Sequence, residues 1–288
     1  MLGMWIGQAQ RAIAAGERIF EILDEREEIA DPTVAATLAP GPGHVVLEDV
    51  TFGYDPARPV LEAINLDIPA GRTVALIGRT GSGKTTLAAL VPRFYDTTAG
   101  RVLVDGADVR DVARRSLRRE IGVISQDPFL FSTSIRDNIA LGMPGAPHEA
   151  VEAAARAAQA HEFILELPQG YDTVVGERGI TLSGGQRQRI AIARALLIDP
   201  RILILDDATA SVDATTEARI RSGLREVMKG RTTIIIAHRL STIALADEIA
   251  VLDRGRIAAR GTQAELLEES AIFREIHEHG LLQQVVAG

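Results

Sequence analysis

Residues Thr73-Val74-Ala75-Leu76-Ile77 run directly into Gly78-Arg79-Thr80-Gly81-Ser82-Gly83-Lys84-Thr85, and an Ala- and Leu-rich stretch follows as far as Val91. The order reads as strand, glycine loop, helix, and it leaves few folds open. An apolar run with no polar face is a strand covered on both sides, as in a parallel sheet packed between other layers. The glycines let backbone N–H groups turn inward and approach anionic oxygens without side-chain clash. The helix that opens at Lys84 adds its free N–H groups and its dipole. The spacing G-x-x-x-x-G-K-[ST] predicts that Lys84 reaches the β and γ phosphates of a nucleotide and that the Thr85 hydroxyl ligates Mg²⁺. Gly78, Arg79, Thr80, Gly81, Ser82, Gly83, Lys84, Thr85 and Thr86 are thus the expected phosphate contacts.

Two later strings complete a site of this kind. Ile202-Leu203-Ile204-Leu205 is a second apolar run, and Asp206 ends it. Ligands in open α/β sheets gather at the carboxyl ends of the strands, so Asp206 is placed to hold Mg²⁺ directly or through water. Leu182-Ser183-Gly184-Gly185-Gln186 lies just before the helix expected over 187–198. There Ser183 can cap the helix while Gly184 and Gly185 expose its N–H groups. This second anion site has no lysine of its own. One domain has no need of two sites for a γ-phosphate, so the economical reading is that it serves ATP held by another copy.

The rest of the chain is organised around these strings. Residues 1–23 read as an amphipathic helix, with Ile6, Ile13, Phe20 and Leu23 recurring at roughly helical spacing. Residues 24–43, charged and then rich in Pro, Ala and Gly, read as a linker, with a compact domain from 44 to 282 and a tail over 283–288. Strands are expected over 45–54, 61–68, 73–77, 121–125, 202–206, 232–237 and 248–253. The stretch from 127 to 198 is Ala-rich and reads as a helical lobe inserted into an α/β core. A net charge of −8 argues against a nucleic-acid surface as the main partner. The absence of cysteine removes disulfides and thiolate-ligated metals and suits a reducing cytoplasm. No apolar run is long enough to span a bilayer, and residues 1–5 lack the basic region of a secretory signal.

Tyr54, the glycine loop, Gln126, Leu182–Gln186, Asp206, Ser211-Val212-Asp213 and His238 follow one another in that order. This ordered set resembles the nucleotide-binding domain of ATP-binding-cassette (ABC) transporters, and the resemblance covers about 45–282. It implies an α/β fold with a P-loop NTPase (RecA-like) core, a small antiparallel β subdomain and an inserted α-helical subdomain. It implies that Tyr54 stacks on adenine and that Gln126 contacts Mg²⁺ or the attacking water. His238 would hold the γ-phosphate, and Ser183, Gly184, Gly185 and Gln186 would contact ATP across the interface between two such domains. Asp213 would lie in the loop that crosses to the opposing subunit. The string Tyr171-Asp172-Thr173-Val174-Val175-Gly176-Glu177-Arg178-Gly179 resembles the segment by which exporters touch the coupling helices of their membrane domains. Ser132-Thr133-Ser134-Ile135-Arg136-Asp137-Asn138 is similar to the exporter pattern too. Gly16-Glu17-Arg18-Ile19-Phe20-Glu21-Ile22-Leu23-Asp24 resembles the end of the last transmembrane helix in fused exporters, so 1–23 is expected to be the stub of that helix. The implied partners are a second nucleotide-binding domain and a transmembrane domain, at the cytoplasmic face of a membrane.

One residue departs from the pattern. Asp207 follows Asp206, where this family normally has the Glu that polarises the attacking water. Asp207 remains the expected catalytic carboxylate, with His238, Gln126 and Lys84 beside it. Its shorter side chain implies slow hydrolysis at this chain's own site. An exporter built from two unequal halves is therefore expected, this chain being the half with the weakened carboxylate. The alternatives are a non-hydrolytic ATP-binding clamp, and an importer or soluble ABC ATPase.

Overall fold

The computed structural model describes residues 2–24, 29–55, 57–176, 182–206, 223–225, 227–237 and 239–285. It divides into two units, Met1–Ala30 and Asp31–Gly288. The first is a single helix, α1 (Leu2–Leu23). Its large apolar side chains are exposed, Trp5, Ile13 and Phe20 each by more than 60%. Among the described residues no helix is long and apolar enough to cross a membrane.

The second unit carries two sheets. Strands β1 (Val45–Phe52), β2 (Leu61–Ile68), β4 (Ala99–Val104) and β5 (Ala107–Asp108) form an antiparallel sheet in the order β2-β1-β4-β5. Strands β3 (Thr73–Gly78), β6 (Ile121–Ile124), β7 (Ile202–Asp206), β8 (Thr232–Ile236), β9 (Glu248–Asp253) and β10 (Arg256–Gly261) form the other, in the order β10-β9-β3-β8-β7-β6. There β6, β7, β8, β3 and β9 are parallel, and β10 is an antiparallel edge.

Alternation along the central strands divides their side chains between two cores. Val74, Leu76, Ile202, Ile204, Ile234 and Ile236 face the core shared with the antiparallel sheet and with α2 (Lys84–Leu90). Ala75, Ile77, Leu203, Leu205 and Ile235 face the opposite core, shared with the helices between β6 and β7. Both faces are covered, so these strands read as unbroken apolar runs. The inserted lobe comprises α4 (Ile135–Ile139), α5 (His148–Ala157), α6 (His161–Leu165) and α7 (Gly184–Leu197). Three further helices, α8 (Leu240–Ile243), α9 (Gln263–Glu269) and α10 (Ala271–Val285), close the unit.

Residues 31–43, expected to be linker, lie on the second unit through specific contacts. The Asp31 carboxylate accepts the Arg114 N–H at 2.9 Å, at the start of α3 (Arg114–Arg119), whose own preceding residue, Ala113, offers no side-chain cap. Ala36 bridges Val112, and the Leu38 N–H donates to the Ser116 hydroxyl with Leu38 itself buried. Arg201 ties Ala39 to the Asp105 carboxylate at 2.8–2.9 Å. The compact unit accordingly starts at Asp31 rather than near His44.

Within the lobe, His161 Nδ1 lies 2.9 Å from the Tyr171 hydroxyl, and both residues are buried. Burial, helped by the nearby Glu152 carboxylate, pushes the Tyr171 phenol up to about 12. The folded state thus holds this proton more tightly than the unfolded chain, whose tyrosines titrate near 10. The resulting stability is complete below pH ~10 and is lost as pH rises from ~10 through ~12. Tyr171→Phe should lower stability by about 1 kcal/mol at pH 7, the worth of one buried hydrogen bond. It should also flatten the alkaline loss, so urea-unfolding curves at pH 7 and pH 11 check both arms.

Candidate nucleotide-binding site

The glycine loop joins β3 to α2 as the sequence predicts. Gly81 and Gly83 have φ of +80° and +100°, a region that favours glycine. A Cβ on Gly83 would lie 2.6 Å from Leu61 Cδ2, and one on Gly78 would lie 2.2 Å from the Leu252 carbonyl oxygen. The loop therefore needs the absence of side chains for space as well as for turning.

Lys84 is 5% exposed. Its Nζ donates to the Gly78 carbonyl at 2.8 Å and to the Arg79 carbonyl at 3.1 Å, curling under the loop. Burial lowers the affinity of this amine for its proton, and the nearby Asp206 carboxylate opposes that shift. The Ser82 hydroxyl is buried with no hydrogen-bond partner among the described residues. A buried hydroxyl without a partner costs stability unless a ligand supplies one. A bed of glycines with an orphaned hydroxyl and a buried ammonium fits the triphosphate of a nucleotide.

Sheet register brings the other groups to the same edge. Leu76, Ile236 and Asp206 occupy one row across β3, β8 and β7. Ile124 pairs Leu205, so Gln126 follows just past the level of Asp206 and is exposed. Thr85 is exposed on the first turn of α2. No group of three or more His, Cys, Asp or Glu able to hold a metal occurs among the described residues. One carboxylate, one hydroxyl, phosphate oxygens and water are nevertheless the usual shell for Mg²⁺, which seldom occupies an all-protein cage. The donor set of Thr85 and Asp206 fits that ion.

Tyr54 reaches the loop from the antiparallel sheet. Its hydroxyl lies 3.1 Å from the Thr86 hydroxyl, and its ring, 60% exposed, stands edge-on to Phe52 and Tyr95 at 5.1 Å. Two edge contacts fix the ring and leave much of it open to a flat ligand. Arg79 turns outward and pairs with Glu275 of α10 at 2.6 Å, a contact no sequence signal announces.

Ser183–Gln186 is built as a helix tip with Ser183 exposed. The Ser183 hydroxyl accepts the Gln186 N–H, and the Gln186 side chain accepts the Ser183 N–H at 2.8 Å, closing a capping box. This pulls Gly184 and Gly185 into the first turn, so α7 begins three residues earlier than expected. The Ser183 oxygen is used as an acceptor and its O–H remains to donate outward. Among the described residues no hydrogen bond, ion pair or ring contact joins this tip to the glycine loop of the same chain. Asp207, Ser211–Asp213 and His238 lie outside the described residues.

Sequence reasoning gave no role to three polar side chains around this site, the buried Gln188 and half-buried Arg194 on α7 and the buried Asn138 on α4. Asn138 falls within the Ser132–Asn138 string, but nothing local to Gln188 or Arg194 separates them from the other polar residues of their helix.

Comparison with known proteins agrees with this geometry. The family model described as ABC transporter matches residues 61–210. The chain is 49% identical to an ATP-dependent lipid A-core flippase of Syntrophus aciditrophicus, over 93% of this chain and 45% of that protein. It is 46% identical to ABC transporter B family member 19 of Arabidopsis thaliana, over 94% of this chain and 22% of that one. A solved structure of a bacterial Atm1-family ABC exporter with ATP bound superposes with a TM-score of 0.87 at 44% identity, covering 97% of this chain and 49% of the other. The chain thus spans less than half the length of these relatives.

Proposed function

The chain belongs to the ABC transporter family, and on that premise we propose that it is the ATP-binding and ATP-hydrolysing domain of an exporter, acting at the cytoplasmic face of a membrane. The observation that carries the ATP site is the buried Lys84 beneath a glycine loop whose Ser82 hydroxyl has no partner among the described residues. Relatives named as a flippase and as an Atm1-family exporter support the export reading.

In this reading the loop amides, Ser82 and Lys84 hold the phosphates, and Tyr54 holds the base. Thr85 and Asp206, with Gln126 nearby, would hold Mg²⁺, whose charge would offset that of the phosphates. His238 steadies the γ-phosphate and Asp207 orients the attacking water. Ser183 and the first amides of α7 close over ATP bound to a second cassette, and the Asp213 loop crosses with them. Closure and reopening of the two cassettes drive the coupling helices of a transmembrane domain through Gln126 and 171–179. The exposed Phe129, Phe131 and Val174 support such a contact. Residues 1–23 are then the end of the last membrane helix. With Asp207 in the catalytic place, this chain is the weakened half of an unequal pair, and the same residue favours a non-hydrolytic clamp as the second reading.

Slow hydrolysis makes an ATP-closed pair long-lived, so association is the direct test. With ATP, Mg²⁺ and the cassette of the partner half, the chain should sediment as a two-cassette complex. Ser183→Arg should stay monomeric while binding ATP as before, since Ser183 lies away from its own loop. A chain that binds ATP yet stays monomeric with that cassette present would overturn the pairing, and a chain that closes and hydrolyses ATP as well with its own copy would overturn the unequal pair.

A further inference from the structure

One helix links the second anion site of this chain to the segment that holds Gln126. Its tip carries Ser183, and farther along it the buried Gln188 and the half-buried Arg194 grip that loop. Gln188, 4% exposed, donates from Nε2 to the Ser125 carbonyl at 3.3 Å, immediately before Gln126. Arg194 donates from Nη1 to the Phe129 carbonyl at 3.0 Å, three residues after it. The same guanidinium donates to the Asn138 carbonyl at 2.8 Å and to the Asn138 side-chain oxygen at 3.0 Å. Asn138 is fully buried and completes the grip: it accepts the Phe131 N–H and donates to the Phe131 carbonyl, both at 2.9 Å.

We propose that Gln188 and Arg194 are positioning residues that transmit the state of ATP at this chain's own glycine loop, by way of Gln126, to the helix tip that serves the opposing cassette. The inference rests on the reading that Gln126 answers to magnesium-bound ATP. The physical argument is one of anchoring. A loop pinned at one end swings about its pin and absorbs a displacement. This loop is pinned at both ends to a single element of fourteen residues. A move of Gln126 toward ATP therefore strains hydrogen bonds to α7, and a continuous helix passes the strain along its axis. The bonds are costly to break where they satisfy the buried Gln188 amide and the buried Asn138. Burial also pulls the Arg194 guanidinium below its ordinary proton affinity. Phe129 and Phe131, edge-to-face at 5.0 Å and about half exposed, ride on the same pinned loop. Whatever docks on them acts on α7 through the same side chains.

Hydrogen exchange of the 288-residue chain, with ATP and Mg²⁺ and without, tests this at a concentration where sedimentation shows monomers. Exchange should slow about fivefold or more in the glycine loop, in 121–139 and in 183–197. In the Gln188→Leu, Arg194→Met double variant the first response should persist and the response of 183–197 should fall below about twofold. Persistence of the first response certifies that the variant is folded, and Arg194→Lys, which keeps the cation but loses the fork, should show an intermediate loss. A wild-type chain whose glycine loop responds while 183–197 does not would overturn the inference, as would a double variant that responds like wild type. A wild-type glycine loop that fails to respond would instead overturn the ATP-site reading beneath it.

Discussion

Lys84→Met should weaken retention of ATP with magnesium by at least about 100-fold while leaving the fold as stable as before or more so. The two halves of that expectation come from the same geometry. Lys84 is 5% exposed, and its ammonium contacts two backbone carbonyls, with the Asp206 carboxylate near enough to oppose the effect of burial. Two carbonyls and one carboxylate do not replace the water an ammonium loses, so the free protein bears a desolvation cost. Triphosphate oxygens would repay it with charge-assisted hydrogen bonds, which are roughly twice as strong as neutral ones. Methionine keeps the buried stem and removes the charge, so the folded protein loses the cost and the complex loses the contact. Titration with a fluorescent ATP analogue measures the first half and urea unfolding the second. Undiminished retention would remove the glycine loop from the nucleotide site. A large loss of stability would recast Lys84 as a structural residue. Lysine is a better probe than Gly78 or Gly83, where the added Cβ would meet the Leu252 carbonyl or Leu61 inside 3 Å and disturb the loop itself.

Much of this site could be read from the chain because its signals are local. The apolar run before Gly78, the glycines and Lys84 sit within a dozen residues, and each constrains the others. The same holds for β7 and Asp206, and for the Ser183–Gln186 capping box. The central strands were legible as unbroken runs because both their faces are covered. Legibility failed where the determinant is a distant partner. Residues 31–43 look like linker by composition, yet Asp31 caps a helix 83 positions away and Arg201 holds Ala39 from 162 positions away. β4 was missed because Gly100, second in the strand at φ +75°, is a turn signal beside a short apolar stretch. β10, Arg256–Gly261, was missed because an edge strand alternates with charged residues. Gln188 and Arg194 look like any polar residues of a surface helix until the fold brings Ser125 and Phe129 against them, 63 and 65 positions away.

Asp207→Glu should raise hydrolysis at this chain's own site about 100-fold with no change in ATP affinity. Asp206 ends β7 in the row shared with Ile236 and Leu76, at the edge where the glycine loop lies. A carboxylate there must come within about 3 Å of the water it activates. Aspartate falls short of glutamate by one C–C bond, roughly 1.5 Å. A misplacement near 1 Å costs on the order of 100-fold, and the missing methylene is of that size. Affinity should not move, because on the proposed reading Lys84, Ser82 and the loop amides would hold the phosphates and this side chain would not. Single-turnover hydrolysis of radiolabelled ATP, with the partner cassette supplied in excess, isolates the step from nucleotide exchange. An unchanged rate would mean that the defect lies elsewhere or that there is none, and the unequal pair would lose its reason. A faster rate accompanied by equally faster reopening of the ATP-closed pair would favour the weakened half over the permanent clamp, since a clamp has no hydrolytic step for the longer carboxylate to restore.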